Sequence, residues 1–169
     1  MRFNVAQLLK RATGSSRRYQ MREDIEDLDL ELVIREPLVG QIEMVRTADG
    51  ILVRGELTTA VELQCDRCLE PFIQKIEFKI EEEFHPAIDM STGAQLPYDE
   101  EETQIDEHHI LDLTELMRQS IFLALPMHPV CRLNCLGLCD RCGKNLNEGP
   151  CDCKESMVDP RLEILKKLK

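Results

Sequence analysis

Tryptophan is absent from the 169-residue chain, and two tyrosines and five phenylalanines make up its whole stock of aromatics. A core built without large rings must be assembled from Leu, Ile and Val, and a metal-held segment would compensate for its modest size. No stretch approaches the ~20 apolar residues of a membrane-spanning helix. The opening Met1 to Lys10 lacks the apolar centre and small-residue cleavage site of a secretory signal. The expectation is a soluble protein of a reducing, cytoplasmic compartment. Also missing are a glycine-rich phosphate loop, a nucleophile elbow, and a histidine set beside a cysteine with an orienting acid. The chain is therefore expected not to be an enzyme, and no small-molecule substrate is evident.

Positive charge lacks balance, since 32 Asp and Glu stand against 21 Lys and Arg and the formal net charge is −11. Such an average field repels nucleic acid and attracts basic proteins. It hides a segregation, because Met1 to Arg22 carries Arg2, Lys10, Arg11, Arg17, Arg18 and Arg22 without one acid. Two readings stand for this basic arm: solvated charges on a docked amphipathic turn, or an RNA-contacting set of Arg2, Lys10, Arg11, Arg17 and Arg18. The acidic stretches Glu23 to Glu36 and Asp99 to Glu107 suit a basic partner instead.

What the chain does have is cysteine: eight in all, six of them between Pro126 and Cys153. Cys139-Asp-Arg-Cys142 and Cys151-Asp-Cys153 are two close pairs separated by the turn formers Gly143, Asn145, Asn147, Gly149 and Pro150. The second pair can fold back on the first, which is the layout of a tetrahedral thiolate site, with zinc as the expected ion. Disulfides do not suit a reducing compartment. Redox-active thiols do not suit Asp140, Asp152 and Glu148, because neighbouring negative charge raises a thiol pKa. Cys65-Asp-Arg-Cys68 is a further pair, a zinc knuckle or two small apolar residues closing a sheet. Cys131 and Cys135 can share one face of a helical turn. The simplest arithmetic is one site from Cys139, Cys142, Cys151 and Cys153, with Cys65, Cys68, Cys131 and Cys135 as a second. His128, between two prolines, is a substitute ligand or a surface loop residue. His85, His108 and His109 have no spacing that fixes a site.

Along the chain, Asn4 to Ala12 reads as a short helix ended by Gly14. Leu28 to Ile34 alternates as a strand stopping near Pro37, and Ile42 to Arg46 reads as another. Thr47 to Gly50 is a hairpin turn of the Asp-Gly kind. Val53, Leu57, Thr59, Val61, Leu63 and Cys65 form one face of a long strand, and Phe72, Ile76, Phe78 and Ile80 one face of the next, so the first CxxC sits at a hairpin tip. Glu81 to Glu107 reads as an acidic loop. Asp112 and Glu115 form a capping box for a helix whose stripe is Leu113, Leu116, Met117, Ser120, Leu123 and Ala124, stopped by Pro126. Asp159 and Pro160 open a C-terminal helix. The fold class is α+β: an antiparallel β-rich domain of hairpins, with barrel-like closure as one option, a packing helix, a cysteine-rich segment and a short terminal helix. The division is 1–125 for the β-rich domain with its basic arm and acidic loop 81–107, and 126–169 for the cysteine-rich segment with the last helix.

The hairpin Val61 to Glu70 (VELQCDRCLE), the block Gly137 to Asn147 (GLCDRCGKNLN) with Cys151 and Cys153, and the closing Asp159 to Leu165 (DPRLEIL) together resemble the YceD family, in a cysteine-rich bacterial branch. Asn4 to Leu9 followed by Gly14, Ser15 and Ser16 is similar too, so the likeness spans nearly the whole chain. The resemblance implies a large ribosomal RNA subunit accumulation protein, acting in synthesis, processing or stability of 23S ribosomal RNA. It implies as partner a large-subunit ribosomal protein or a precursor ribosomal RNA particle, since genes of this family commonly sit beside one for a small large-subunit protein. The CxxC hairpin is the more general family feature, which favours a stabilising role for the later block. Two other classes compete: a thiol redox switch using the CxxC pairs, and a zinc-ribbon RNA-binding protein.

Overall fold

The computed structural model describes residues 1–24, 32–89, 92–94 and 103–153. The expected strand residues Leu28 and Leu30, the acidic run Asp99 to Glu102 and the helix from Asp159 lie outside them. The elements are β1 (Arg2–Asn4), α1 (Ala6–Leu9), β2 (Ser16–Glu23), β3 (Val33–Arg46), β4 (Ile51–Gln64), β5 (Pro71–Pro86), β6 (Gln104–Ile105), β7 (Ile110–Asp112) and α2 (Thr114–Ala124). One sheet runs in the order β2-β3-β4-β5-β6, and β1 pairs with β7 in a second, two-stranded sheet. The strands β2 to β5 pair antiparallel, whereas β6 adds to β5 in parallel. The two ends of the larger sheet, β2 and β6, do not meet, so the barrel-like option is corrected to an open five-stranded sheet.

Alternation builds this sheet. Ile51, Val53, Leu57, Thr59 and Val61 of β4 and Ile76, Phe78, Ile80 and Phe84 of β5 are buried, while Arg54, Glu56, Lys79 and Glu81 between them face solvent. Period two puts successive side chains on opposite faces, so each strand contributes one apolar stripe to a common core. Helix α2 lies over β5 and closes that core with Leu113, Met117 and Ile121, one helical turn apart. The expected stripe is rotated: Ile121 is buried, and Leu123 is 87% exposed.

Three further expectations give way. The basic stretch 16–23 is no arm but an edge strand, in which Tyr19 and Met21 turn inward between exposed arginines. The two strands expected around Pro37 are one, with register shifts at Ile34 to Val39. Proline is tolerated there because β2 pairs β3 only from Leu38 onward, so its missing N–H costs no bond to β2. Glu81 to Pro86 is not loop: it continues β5, since Ile51 and Leu52 of β4 pair with Phe84 and Glu83.

The capping box of α2 does not form, because Glu115 pairs with Arg118 and the helix cap falls at Leu113. Asp112 is held by β-pairing opposite Arg2, where its carboxylate accepts from Arg2 Nε at 2.8 Å, from the Thr114 N–H at 2.9 Å and from the Met1 amine at 3.3 Å. Burial opposes ionisation, but these donors outweigh it and hold Asp112 well below the usual carboxylate range. A depressed folded-state pKa gives stability that is full above the unfolded value and lost as pH falls through the folded one. Asp112→Ala is accordingly expected to cost about 1–2 kcal/mol at pH 7, discounted for a partly exposed carboxylate, with the gap from the parent narrowing below about pH 4. Urea unfolding at several pH values checks this.

Candidate metal centres

The β4–β5 hairpin carries Cys65 and Cys68 at its tip, where the Cys65 N–H donates to Glu70 O and the Leu69 N–H to Cys65 O. The segment after α2 folds against this tip: the Asp66 N–H donates to Pro129 O at 2.9 Å, and the Leu138 N–H to Arg67 O at 3.1 Å. Gly137, at φ +75°, brings its backbone against Arg67, whose carbonyl oxygen lies 3.1 Å from where a Cβ would stand. Arg67 in turn donates to Cys135 O at 3.1 Å. These contacts deliver Cys131 and Cys135 to Cys65 and Cys68.

The four Sγ atoms of Cys65, Cys68, Cys131 and Cys135 lie within 4.8 Å of one another, as do those of Cys139, Cys142, Cys151 and Cys153. Cys65 and Cys135 are 3.9 Å apart, Cys68 and Cys131 3.8 Å, and Cys139 and Cys151 3.4 Å. A tetrahedron of thiolates about 2.3 Å from its centre has edges of about 3.8 Å, so each quartet could hold a metal ion. The first is the more enclosed: Cys65, Cys68 and Cys135 are buried, whereas Cys142 and Cys153 of the second are exposed.

Electrostatics within each set point the same way. The N–H groups of Cys131, Cys68 and Arg67 hold the Cys65 thiol down at about 6 against burial, and those of Cys142 and Arg141 hold Cys139 at about 7. Burial and the crowding of Cys135, Cys65 and Cys68 push Cys131 up to about 12, and contact with Cys142 together with burial does the same to Cys153. One sulfur of each set thus ionises readily while another keeps its proton, because four like charges this close repel. A dication at the centre removes that conflict.

The two quartets are the two sets into which spacing divides the cysteines. His128 is not among them; its Nδ1 lies 3.2 Å from Asp66 Oδ2 on the surface. Sequence reasoning missed Asn147, which it took for a turn former. Asn147 Nδ2 donates to Cys135 Sγ at 3.3 Å, and its Oδ1 accepts from the Leu136 N–H at 2.9 Å and from Arg132 at 2.7 Å. It sits between Cys142 and Cys151 in the chain, so it ties the second loop to the first quartet. Nothing in the sequence marks it apart from Asn145, because its role depends on a fold of the loop that spacing alone does not specify.

The five basic residues read as an RNA-contacting set are spread over several elements. Arg2 pairs with Asp112, Arg17 donates to Gln7 Oε1 at 2.7 Å, and Arg18 bridges to Glu43 at 3.1 Å. Lys10 and Arg11 are exposed beyond α1. Arg18 also lines an open groove of about 570 Å³ on the solvent face of the sheet, with Glu43, Arg54, Glu56, Lys79 and Glu81. Its cations are matched there by carboxylates, Arg54 by Glu43 and Lys79 by Glu56.

A family model described as large ribosomal RNA subunit accumulation protein YceD matches residues 53–169. An uncharacterised protein of Mycobacterium tuberculosis is 33% identical over 115 residues, 68% of this chain and 53% of that protein. The maize chloroplastic large ribosomal RNA subunit accumulation protein YCED homolog 1 is 30% identical over 149 residues, covering 73% of this chain and 51% of that one. The Haemophilus influenzae large ribosomal RNA subunit accumulation protein YceD is 29% identical over 80 residues, 47% of this chain and 45% of its own. The chain spans about half the length of the curated relatives it matches. No solved structure matches it.

Proposed function

The chain belongs to the YceD family of large ribosomal RNA subunit accumulation proteins, and on that premise we propose that it is a non-enzymatic factor in the synthesis, processing or stability of 23S ribosomal RNA. It works by binding a large-subunit ribosomal protein or precursor particle in the cytoplasm. The observation that carries the non-enzymatic part is the pair of all-cysteine quartets. Four thiolates close the coordination sphere of a tetrahedral ion, which leaves no position for a substrate and makes such a site structural.

In this reading each quartet holds one zinc ion, the first through Cys65, Cys68, Cys131 and Cys135 and the second through Cys139, Cys142, Cys151 and Cys153. Zinc supplies the charge that lets the crowded thiols ionise together. The chain's own residues do the rest: Arg67 and Asn147 position the cysteines, and the first quartet fastens the segment 126–153 to the sheet domain. A small core without tryptophan gains from such a fastening. Among the described residues no helix is long and apolar enough to cross a membrane.

Conditional depletion tests the function. The ratio of mature 23S to 16S ribosomal RNA is expected to fall at least about twofold, a change equivalent to about 0.4 kcal/mol in an equilibrium, and to recover when the chain is resupplied. An unchanged ratio in depleted cells contradicts the reading.

A further inference from the structure

We propose that Asn147 couples the two cysteine quartets, so that an ion in either one tightens the hold of the other on its own ion. The inference rests on the reading of both quartets as metal sites and names the residue through which they communicate. Asn147 lies in the eight-residue loop between Cys142 and Cys151, both of the second quartet, yet its side chain reaches the first. Its Nδ2 donates to Cys135 Sγ at 3.3 Å, and its Oδ1 accepts from the Leu136 N–H at 2.9 Å and from Arg132 at 2.7 Å.

A carboxamide offers two N–H donors and two acceptor positions. Nδ2 also donates to Asn145 Oδ1 at 2.8 Å, so all four are filled and the amide is held in one orientation. Three of its four partners, Arg132, Cys135 and Leu136, belong to the loop that carries Cys131 and Cys135. The fourth, Asn145, pairs with Leu138 in an antiparallel bridge, and the Leu146 N–H donates to Gly137 O at 2.9 Å. These bonds lay residues 145–146 along the chain that leads into Cys139. The loop thus grips the first quartet at its middle while its two ends run into ligands of the second.

An ion shared by Cys142 and Cys151 closes the loop and removes conformational freedom that Asn147 must otherwise lose on reaching Cys135. Conversely, an ion on Cys135 makes its sulfur an anionic acceptor, strengthens the bond from Nδ2 and so orders the loop for the second ion. Hydrogen bonds from a residue just outside the ligands typically change metal affinity by about 10–100-fold. Binding free energies are linked, so the factor is the same in both directions. Leu138 also joins the two turns through Arg67 O, but Arg67 is not a ligand, whereas Asn147 touches a ligand sulfur.

The test counts zinc ions per chain by native mass spectrometry at buffered free zinc. The full chain gives the overall constant for two ions. Cys142→Ser with Cys153→Ser gives the constant of the first quartet, and Cys68→Ser with Cys131→Ser gives that of the second while keeping Cys135. The overall constant is expected to exceed the product of the two single constants by about tenfold or more. With Asn147→Ala added to all three chains, it is expected to fall within about twofold of that product. A residue that only props the fold lowers the single constants and leaves the excess unchanged. In the otherwise intact chain, which needs no serine, Asn147→Ala is also expected to raise the share of one-ion chains at half loading. Independent constants in the parent, or an excess that survives Asn147→Ala, would overturn the coupling and leave the two sites standing. A parent chain that takes up no zinc would overturn the metal reading and the coupling with it.

Discussion

Replacing Cys65 and Cys135 together with serine is expected to remove one metal ion per chain and to lower the thermal midpoint by about 10 °C or more. Both residues are buried, and their sulfurs are 3.9 Å apart although the residues come from opposite sides of helix α2 in the chain. The first quartet therefore joins two segments that are otherwise linked by a few hydrogen bonds, such as the Asp66 N–H to Pro129 O, the Leu138 N–H to Arg67 O and the Arg67 side chain to Cys135 O. Structural zinc in small domains contributes on the order of 10 kcal/mol to folding, and losing less than half of that suffices for the stated shift. Serine in place of a buried thiolate also leaves a polar hydroxyl without a metal partner. The matched variant, Cys142→Ser with Cys153→Ser, removes the other ion at exposed positions. It ties only residues 139–153, so the midpoint is expected to fall less than half as far. Retention of both ions and of the parent midpoint by the first variant would remove the fastening role.

Gly50→Val is expected to cost about 3–5 kcal/mol, read as a shift of the urea midpoint. A Cβ at Gly50 would stand 2.1 Å from Phe84 O and 3.0 Å from Phe84 C, backbone atoms that no rotamer change can move. Relief requires the start of β4 to part from the end of β5, where Ile51 pairs with Phe84 and both are fully buried. Gly50 also anchors the turn, its N–H donating to Thr47 Oγ1 and its carbonyl accepting from Arg46, each at 2.8 Å. The Asp-Gly pair at 49–50 had suggested a glycine needed for a left-handed turn, yet Gly50 is not among the glycines with positive φ. The two roles separate experimentally. Asparagine tolerates the left-handed region, so a turn role makes Gly50→Asn mild, whereas close approach makes it as damaging as valine.

The long strands β4 and β5 were legible because most of their buried residues recur at every second position, and that placed the first CxxC at a hairpin tip. The cysteine sets were legible from two-residue spacings and from the glycines and prolines between pairs. Grouping Cys131 and Cys135 with Cys65 and Cys68 came from arithmetic on the remaining cysteines; what carries them there, the contact of Gly137 with Arg67 between loops 70 residues apart, has no mark in the sequence. β2 was hidden because arginines around Tyr19 and Met21 resemble a solvated arm, and only pairing with β3 reveals which face is buried. Glu81 to Glu83 concealed the end of β5 for a related reason, since three consecutive carboxylates, with Glu82 in register with buried Ile80 and Phe84, interrupt the apolar alternation and look like loop. In α2, Leu123 and Ile121 are equally apolar, and the sheet beneath decides which of them is covered.

In the proposed zinc-held form, two cysteine quartets each gather one ion and thereby fold the segment after α2 onto the sheet. Native mass spectrometry of the chain purified under reducing conditions tests it most directly. The expected spectrum shows two zinc ions bound per chain, with alkylation of the thiols slow until a chelator is added. A metal-free chain of unchanged fold, with all eight thiols open to alkylation at once, would contradict it.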